Sequence, residues 1–340
     1  MSLSEKCSIL LLSKDRPNFL QRFLTFGKSN YSLSTLIADG STQPLYRIVD
    51  GVKDDKVHYK YVAPDLKIED FVRKVILGLE NVQTDYVILM DDDDFLSEIA
   101  IEKAIYFLEN NNGYIAYIGF ALDFSLSIKP NCLVYGTVVN ARKWALGATF
   151  FEDTVSARVS KYIDIKGSYW HGVIRTAELL KVWKIIEECD PQRYETVEVL
   201  LNIIILSIGK CYSASDALTL YHQVHDSMIS KSLKNDYELS LDENWIAEIE
   251  TCLKVIEKKG ILASAPISAK FKKAWFTFQE DEKKKVQPNY DLFKVLRRLN
   301  YAVRSRLDWE PQLKVSALEL PANQVKEFNQ IIHFLSSNKV

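Results

Sequence analysis

Four consecutive aspartates, Asp91 to Asp94, follow the apolar run Tyr86-Val-Ile-Leu-Met90 without a break. Adjacent carboxylates repel one another, and at a partly buried site their charge must be offset by a cation or by protonation. Oxygen donors of this hardness select Mg2+ or Mn2+, ions that keep several waters and share their remaining positions with a substrate diphosphate. At the end of a strand, Asp91 and Asp93 lie two apart and face the same side. The alternative is a solvated acidic turn that caps the next helix, where carboxylates meet the positive end of the helix dipole.

The elements around this run decide between the two. Tyr86 to Met90 shows no polar alternation, as in a strand buried on both faces. In open α/β sheets ligands bind just beyond the carboxyl ends of such strands. Ser8 to Leu12 is a second apolar run, turned by Lys14-Asp15-Arg16-Pro17 into a helix over Asn18–Phe26. Ser34 to Ala38 is a strand ending in Asp39-Gly40-Ser41, and the stretches from Tyr46 and from Val57 read as further short strands. Ile68, Phe71, Val72, Val75 and Leu79 form the stripe of a helix over Asp65–Leu79. Ser97 caps a helix running to Leu108, and Tyr114–Phe120 is a strand. The alternation predicts an α/β fold with a mainly parallel sheet and helices on both faces. From Leu122 to Tyr169 the pattern is short strands and loops, after which helices are expected from Thr176 to Glu188 and from Arg193 to Ile208.

The chain has 340 residues, enough for two domains or one large one. We place a boundary near residue 230, with an α/β domain over 1–230 and a mainly helical, Lys-rich region over 231–340. The formal net charge of −2 gives no bulk attraction to nucleic acid. The five cysteines form no CxxC pair, which argues against a zinc site or a disulfide framework and fits a reducing cytoplasm. No apolar run approaches the ~20 residues of a membrane span, and the N-terminal run of four is short for a secretory signal. Between Lys270 and Arg306 there are eleven Lys or Arg and four Asp or Glu, so this stretch carries +7. Residues 291–306 place Leu292, Val295, Leu296, Leu299 and Val303 on one helical stripe, with basic residues mostly outside it. Such a helix either packs its stripe on its own domain or rests on anionic lipid at the inner membrane face.

Several of these segments together resemble the GT-A fold glycosyltransferases, most closely glycosyltransferase family 2. Tyr86-Val-Ile-Leu-Met-Asp-Asp-Asp-Asp94 is similar to the family's metal motif. The first strand with Lys14-Asp15-Arg16-Pro17, and Leu36-Ile-Ala-Asp-Gly-Ser41, are similar to its first two strand ends. The resemblance spans about residues 7 to 225. It implies a metal-dependent transferase that moves a sugar from a nucleoside-diphosphate sugar, such as a UDP-sugar, to a hydroxyl of a saccharide or lipid-linked acceptor. By the same resemblance Lys14, Asp15, Arg16, Asp39, Asp91 and Asp92 face the nucleotide, with Arg73 a rougher match. Asp91, Asp93 and His225 are then the expected metal ligands, for Mn2+ or Mg2+. Ala38 stands where the family carries a further carboxylate, and His222 where its closing motif has arginine.

In inverting members the general base opens a helix about a hundred residues beyond the metal motif. Counting back from Gly209 selects Glu198, with Glu195 one turn earlier on the same face. Either glutamate could equally be a first-turn residue favoured by the dipole. Trp170 and His171, just before a helix, are marked for the acceptor, although a tryptophan there more often belongs to the core. The expected activity is inverting glycosyl transfer in surface polysaccharide or glycoconjugate synthesis. A nucleotidyltransferase ranks lower because Ser13-Lys-Asp-Arg-Pro-Asn18 lacks the glycine-rich loop of that class. A non-catalytic sugar-nucleotide-binding protein stays open because Glu198 has no adjacent acidic partner.

Overall fold

In the computed structural model, residues 2–126, 134–165, 167–224, 243–263, 265–274, 313 and 315–337 are described. The first half of the sheet is parallel. Strands β1 (Cys7–Ser13), β2 (Ser34–Asp39), β3 (Val57–Tyr61) and β4 (Tyr86–Asp91) lie in the order β3-β2-β1-β4. Every residue of β1 and the first five of β4 are buried, which is why neither shows polar alternation. Burying each such Leu, Ile or Val contributes about 1.5–3 kcal/mol. The registers set Leu12 opposite Asp91 and Ser13 opposite Asp39, so three carboxyl strand ends meet at one edge. The chain winds one way from β1 to β2 and returns on the other side at β4, which opens a crevice at that edge.

Beyond β4 the sheet turns mixed. Strand β8 (Val173–Arg175) runs antiparallel between β4 and β6 (Tyr114–Leu126), and β9 (Lys210–Gln223) runs parallel to β6. Two antiparallel additions finish it: β5 (Phe95–Leu96) on β9 and β7 (Val138–Ala145) on β6.

A four-residue helix α1 (Leu3–Lys6) leads into β1, and α2 (Pro17–Asn30) follows it with Pro17 at its first turn. Helix α4 (Ile68–Leu79) buries Phe71, Val72, Val75, Ile76 and Leu79, close to the stripe expected for it. Ser97 caps α5 (Glu98–Asn110), its side chain accepting from the Ala100 N–H at 3.4 Å. Helices α7 (Thr176–Cys189) and α8 (Tyr194–Ile208) stand where the sequence places them, although the cap of α7 is Arg175 and Thr176 is its first helical residue.

Two segments differ from expectation. Tyr46–Val52 is a short helix, α3, because its mixed apolar pattern fits either period over so few residues. Val155–Ile165 is a helix, α6, that packs on α8 within the stretch read as strands and loops.

The described part of the C-terminal region shares the same core. Helix α9 (Glu243–Lys258) packs on α7 and α8, residues 265–274 are helical, and α10 (Ala322–Ser337) lies on the sheet end. Phe328 of α10 is fully buried and stacks on Tyr221 of β9 with centroids 5.6 Å apart. Among the described residues no helix is long and apolar enough to cross a membrane. The basic stretch 291–306 lies outside the described residues.

Candidate active site

The crevice is walled on one side by the loop after β1. Asp15 adopts φ 52°, the left-handed region that aspartate tolerates better than most residues. Its backbone N–H donates to Ser41 Oγ at 2.7 Å and its carboxylate accepts from the Thr42 N–H at 2.7 Å, which ties the β1 and β2 turns together. Lys14 Nζ donates to the Asp65 carbonyl.

Asp39 was expected to meet the nucleotide, and the structure gives it another task. It is fully buried, with one oxygen accepting from the Ser41 N–H at 2.9 Å and the other from the Leu45 N–H at 3.0 Å and the Tyr59 hydroxyl at 2.6 Å. Both oxygens are thereby committed to shaping the turn over 41–45. Arg73 is likewise displaced from its expected place: it lies on the exposed face of α4. Its neighbour Lys74 is buried and donates to Asp65 at 2.5 Å and to the Ser13 carbonyl at 3.2 Å. Gly40 is obligatory here, since a Cβ would stand 2.2 Å from the Asp65 carboxylate.

Three of the four aspartates have protein cations of their own. Asp92 is 1% exposed, accepts from Ser13 Oγ at 2.9 Å and lies 3.2 Å from Arg16 Nε. Asp93 pairs with Arg16 Nη2 at 2.5 Å. Asp94 accepts from His222 Nδ1 at 2.9 Å and from the Gln223 N–H at 3.0 Å. Behind them Arg22, fully buried in α2, donates to the Asp93 carbonyl, to Gln223 and to the Val134 carbonyl. Burial pushes the Arg22 guanidinium down to about 10 against the pull of Asp93, Asp94 and Asp92, so it stays charged at neutral pH. His222 moves the other way, to about 9: burial pulls it down, but its hydrogen bond to Asp94 and the charges of Asp94, Asp123 and Asp93 together outweigh that cost.

Asp91 is the carboxylate left facing the crevice, its side chain 43% exposed. Although its tip is wet, the protein packed around it, followed by Asp93 and Asp94, raises its pKa to about 7. Asp92 reaches about the same value through burial, with Arg16 pulling it back.

Asp91, Asp94 and His171 each offer a ligand atom, all within 4.8 Å of one another. His171 Nδ1 lies 3.2 Å from the Leu89 carbonyl, which can only accept, so Nδ1 carries the proton and Nε2 keeps its lone pair. That Nε2 lies 3.9 Å from Asp91, and burial holds the imidazole below its usual pKa and hence neutral. Two carboxylate oxygens and an imidazole nitrogen, the nitrogen oriented by a carbonyl behind it, suit Mn2+ better than Mg2+. This set differs from the expected Asp91, Asp93 and His225. Arg16 draws Asp93 into an ion pair, Asp94 stands in the group instead, and His225 lies outside the described residues. His171, expected at the acceptor, belongs to this group.

The remaining expected residues come from α7, α8 and the loop before β8. Trp170 stacks on Phe71 at 6.1 Å and meets the edge of Trp183 at 5.8 Å, so one indole face is spent on packing. Glu198 is open to solvent, and no described residue donates a hydrogen bond to its carboxylate. Protein packed around it and then Glu195 raise its pKa, while His171 draws it back, which sets Glu198 within electrostatic reach of the Asp91 group. Asn202, a buried polar residue within the apolar run Val199–Leu206 of α8, accepts from the Tyr169 N–H at 2.9 Å and donates to the Glu198 carbonyl at 2.8 Å. It thus ties the helix that carries Glu198 to the loop that carries His171. Neither Asn202 nor Arg22 was singled out from sequence, although a polar residue within each apolar stripe was the available signal.

A parallel half-sheet with an acidic, histidine-backed group at its carboxyl edge defines the class. Residues 35–126, which run from β2 through the four aspartates to the end of β6, match the family model described as Glycosyl transferase family 2; the chain is similar to that family over this segment and is a glycosyltransferase.

Among solved structures, the chain is similar to S. aureus TarS 1-349, at 13% identity over 83% of this chain and 93% of that one, with a TM-score of 0.49. The same protein in complex with UDP aligns at 13% identity over 83% and 93%, TM-score 0.45. Its complex with UDP-GlcNAc aligns at 12% identity over 82% and 92%, TM-score 0.45. No curated protein matches the chain.

Proposed function

We propose that this glycosyltransferase uses a nucleoside-diphosphate sugar, with UDP as its nucleotide, and transfers the sugar with inversion to a hydroxyl of a saccharide or lipid-linked acceptor. The observation that carries the reading is the convergence of Asp91, Asp94 and His171 at the carboxyl edge of β4, the two aspartates lying inside the segment matched to the family. Asp91, Asp94 and His171 would hold a divalent cation, which supplies charge stabilisation for a departing diphosphate. Arg16 pairs with the Asp92 and Asp93 carboxylates and Arg22 holds the Asp93 carbonyl, which fixes these two residues while Asp91 stays available. Lys14, Asp15 and Arg16 line the nucleotide side of the crevice.

Glu198 accepts the proton of the acceptor hydroxyl as that oxygen forms its bond to the anomeric carbon; the bond from that carbon to the diphosphate oxygen breaks, and the electron pair leaves with UDP. A raised pKa suits Glu198 to this task, since a base is most effective when its pKa nears the working pH. A role in surface polysaccharide or glycoconjugate synthesis, at the cytoplasmic face of a membrane, fits this chemistry.

The test is calorimetric titration and thermal unfolding with UDP, GDP and ADP, each with and without Mn2+. UDP with Mn2+ should raise stability by about 2.7 kcal/mol at a concentration of 100 Kd. Asp94→Asn should weaken that gain while leaving the unliganded fold in place. Absence of binding by all three nucleotides in Mn2+ would overturn the proposal.

A further inference from the structure

The β6–β7 ladder presents an aromatic group close to the Asp94 group. Trp144 of β7 is 39% exposed, and its indole N–H donates to Asp123 Oδ1 at 2.6 Å. The second Asp123 oxygen lies 3.4 Å from Arg142 Nη2. Asp123 pairs across β6–β9 with His222, whose imidazole holds Asp94. The register sets Trp144 opposite Ala121 and Arg142 opposite Asp123, so Trp144, Asp123 and His222 share one face of the sheet. Two strand spacings and a two-residue offset along the strands, together about 12 Å, separate the backbones of Trp144 and His222. No ring of a described residue packs on the Trp144 indole, in contrast to Trp170. An exposed indole whose only polar atom is already bonded offers a fixed apolar plate. Aromatic plates of this kind stack on the C–H faces of sugar rings, while the hydroxyls of the sugar stay wet or meet flanking charged groups such as Arg142.

We propose that Trp144, held in place by Asp123, is the platform for a sugar ring of the acceptor. The assignment rests on the glycosyltransfer reading above. It places the acceptor on the β6–β7 side of the Asp94 group and the nucleotide on the β1–β2 side.

Two measurements test it. In the first, wild type, Trp144→Ala, Trp144→Phe and Asp123→Asn are incubated with a glycan array of mono- to tetrasaccharides in the presence of Mn2+ and UDP. Wild type should bind a subset of glycans, Trp144→Ala should lose them, and Trp144→Phe should keep most of the signal. Asp123→Asn, which preserves an acceptor for the indole N–H, should also bind. In the second, steady-state kinetics with an array-positive glycan should show the acceptor KM rising about tenfold in Trp144→Ala, with the donor KM moving less than twofold. Equal glycan binding by wild type and Trp144→Ala, binding by neither, or a rise confined to the donor KM overturns the platform. Failure of UDP to bind with Mn2+ in the earlier titration would instead strike the glycosyltransfer reading itself, so the two failures are told apart. Thermal unfolding of each variant checks that this surface substitution leaves the fold intact.

Discussion

Replacing Lys74 by methionine isolates the energetics of the crevice floor. Lys74 and Asp65 are 2% and 1% exposed at their side chains, and their charged atoms stand 2.5 Å apart. At an effective dielectric of 20 the attraction is about 7 kcal/mol, most of it offsetting the desolvation of both ions. Methionine keeps the volume of the stem and removes the charge, which leaves a buried carboxylate whose Oδ1 already has no donor. The expected loss at pH 7.5 is about 3–5 kcal/mol, the cost of stranding one partner of a buried pair.

Burial holds the Asp65 pKa above its ordinary value even with Lys74 pulling it down, so removing Lys74 raises it further. For a group whose folded pKa is raised, the stabilisation is present below the unfolded value and is lost as pH rises through the folded one. The Lys74→Met deficit should therefore be large at pH 7.5 and shrink at pH 4.5, where the folded carboxyl holds its proton. The double variant Asp65→Asn/Lys74→Met should recover most of the loss. Urea unfolding followed by tryptophan fluorescence at the two pH values measures all three. A loss under about 1 kcal/mol, an equal deficit at both pH values, or a double variant no better than the single one would refute the reasoning.

Three further outcomes are expected. Glu198→Gln should lower transfer by 10²–10⁴-fold while UDP affinity in calorimetry stays within twofold of wild type. Phe328→Ala should cost about 3–5 kcal/mol in unfolding free energy, because a fully buried ring stacked on Tyr221 is lost. Glu327 accepts from Ser97 Oγ at 2.6 Å and from the Tyr221 hydroxyl at 3.0 Å, and burial raises its pKa. Its contribution should be full below the ordinary glutamate range and fade as pH rises through the raised value; Glu327→Gln, which keeps an acceptor for both hydroxyls, should flatten that part of the melting temperature against pH curve.

The strand ends were legible because their signals are local. An unbroken apolar run followed by aspartates can be read within ten residues, and Ser97, α4 and α8 follow from caps and 3.6-residue periods. The partners of the aspartates were not legible, because they come from far along the chain. Arg22 reaches Asp93 across 71 residues and His222 reaches Asp94 across 128. Strand alternation paired Asp91 with Asp93, but β4 ends at Asp91, and from Asp92 onward the side chains are set by those distant cations. The turn bonds of Asp39 were hidden for a related reason: a carboxylate at a strand end looks the same in sequence whether its oxygens face a ligand or the turn that follows it. Helix α6 escaped because its 11 residues carry several β-branched side chains, and its packing on α8 decides its form.

The contacts of α10 bear on the order in which the molecule is made. Ser97 and Tyr221 are both emerged from a ribosome well before Glu327, which bridges them, and Gln324, whose side chain brackets Leu218 on both backbone groups. A growing chain therefore holds its acidic strand end in place before the clasp behind that end exists. Truncation ahead of residue 324 would strip the clasp while sparing every crevice residue, so shortened versions of the protein would misreport the rigidity of the Asp91, Asp94 and His171 group they still contain.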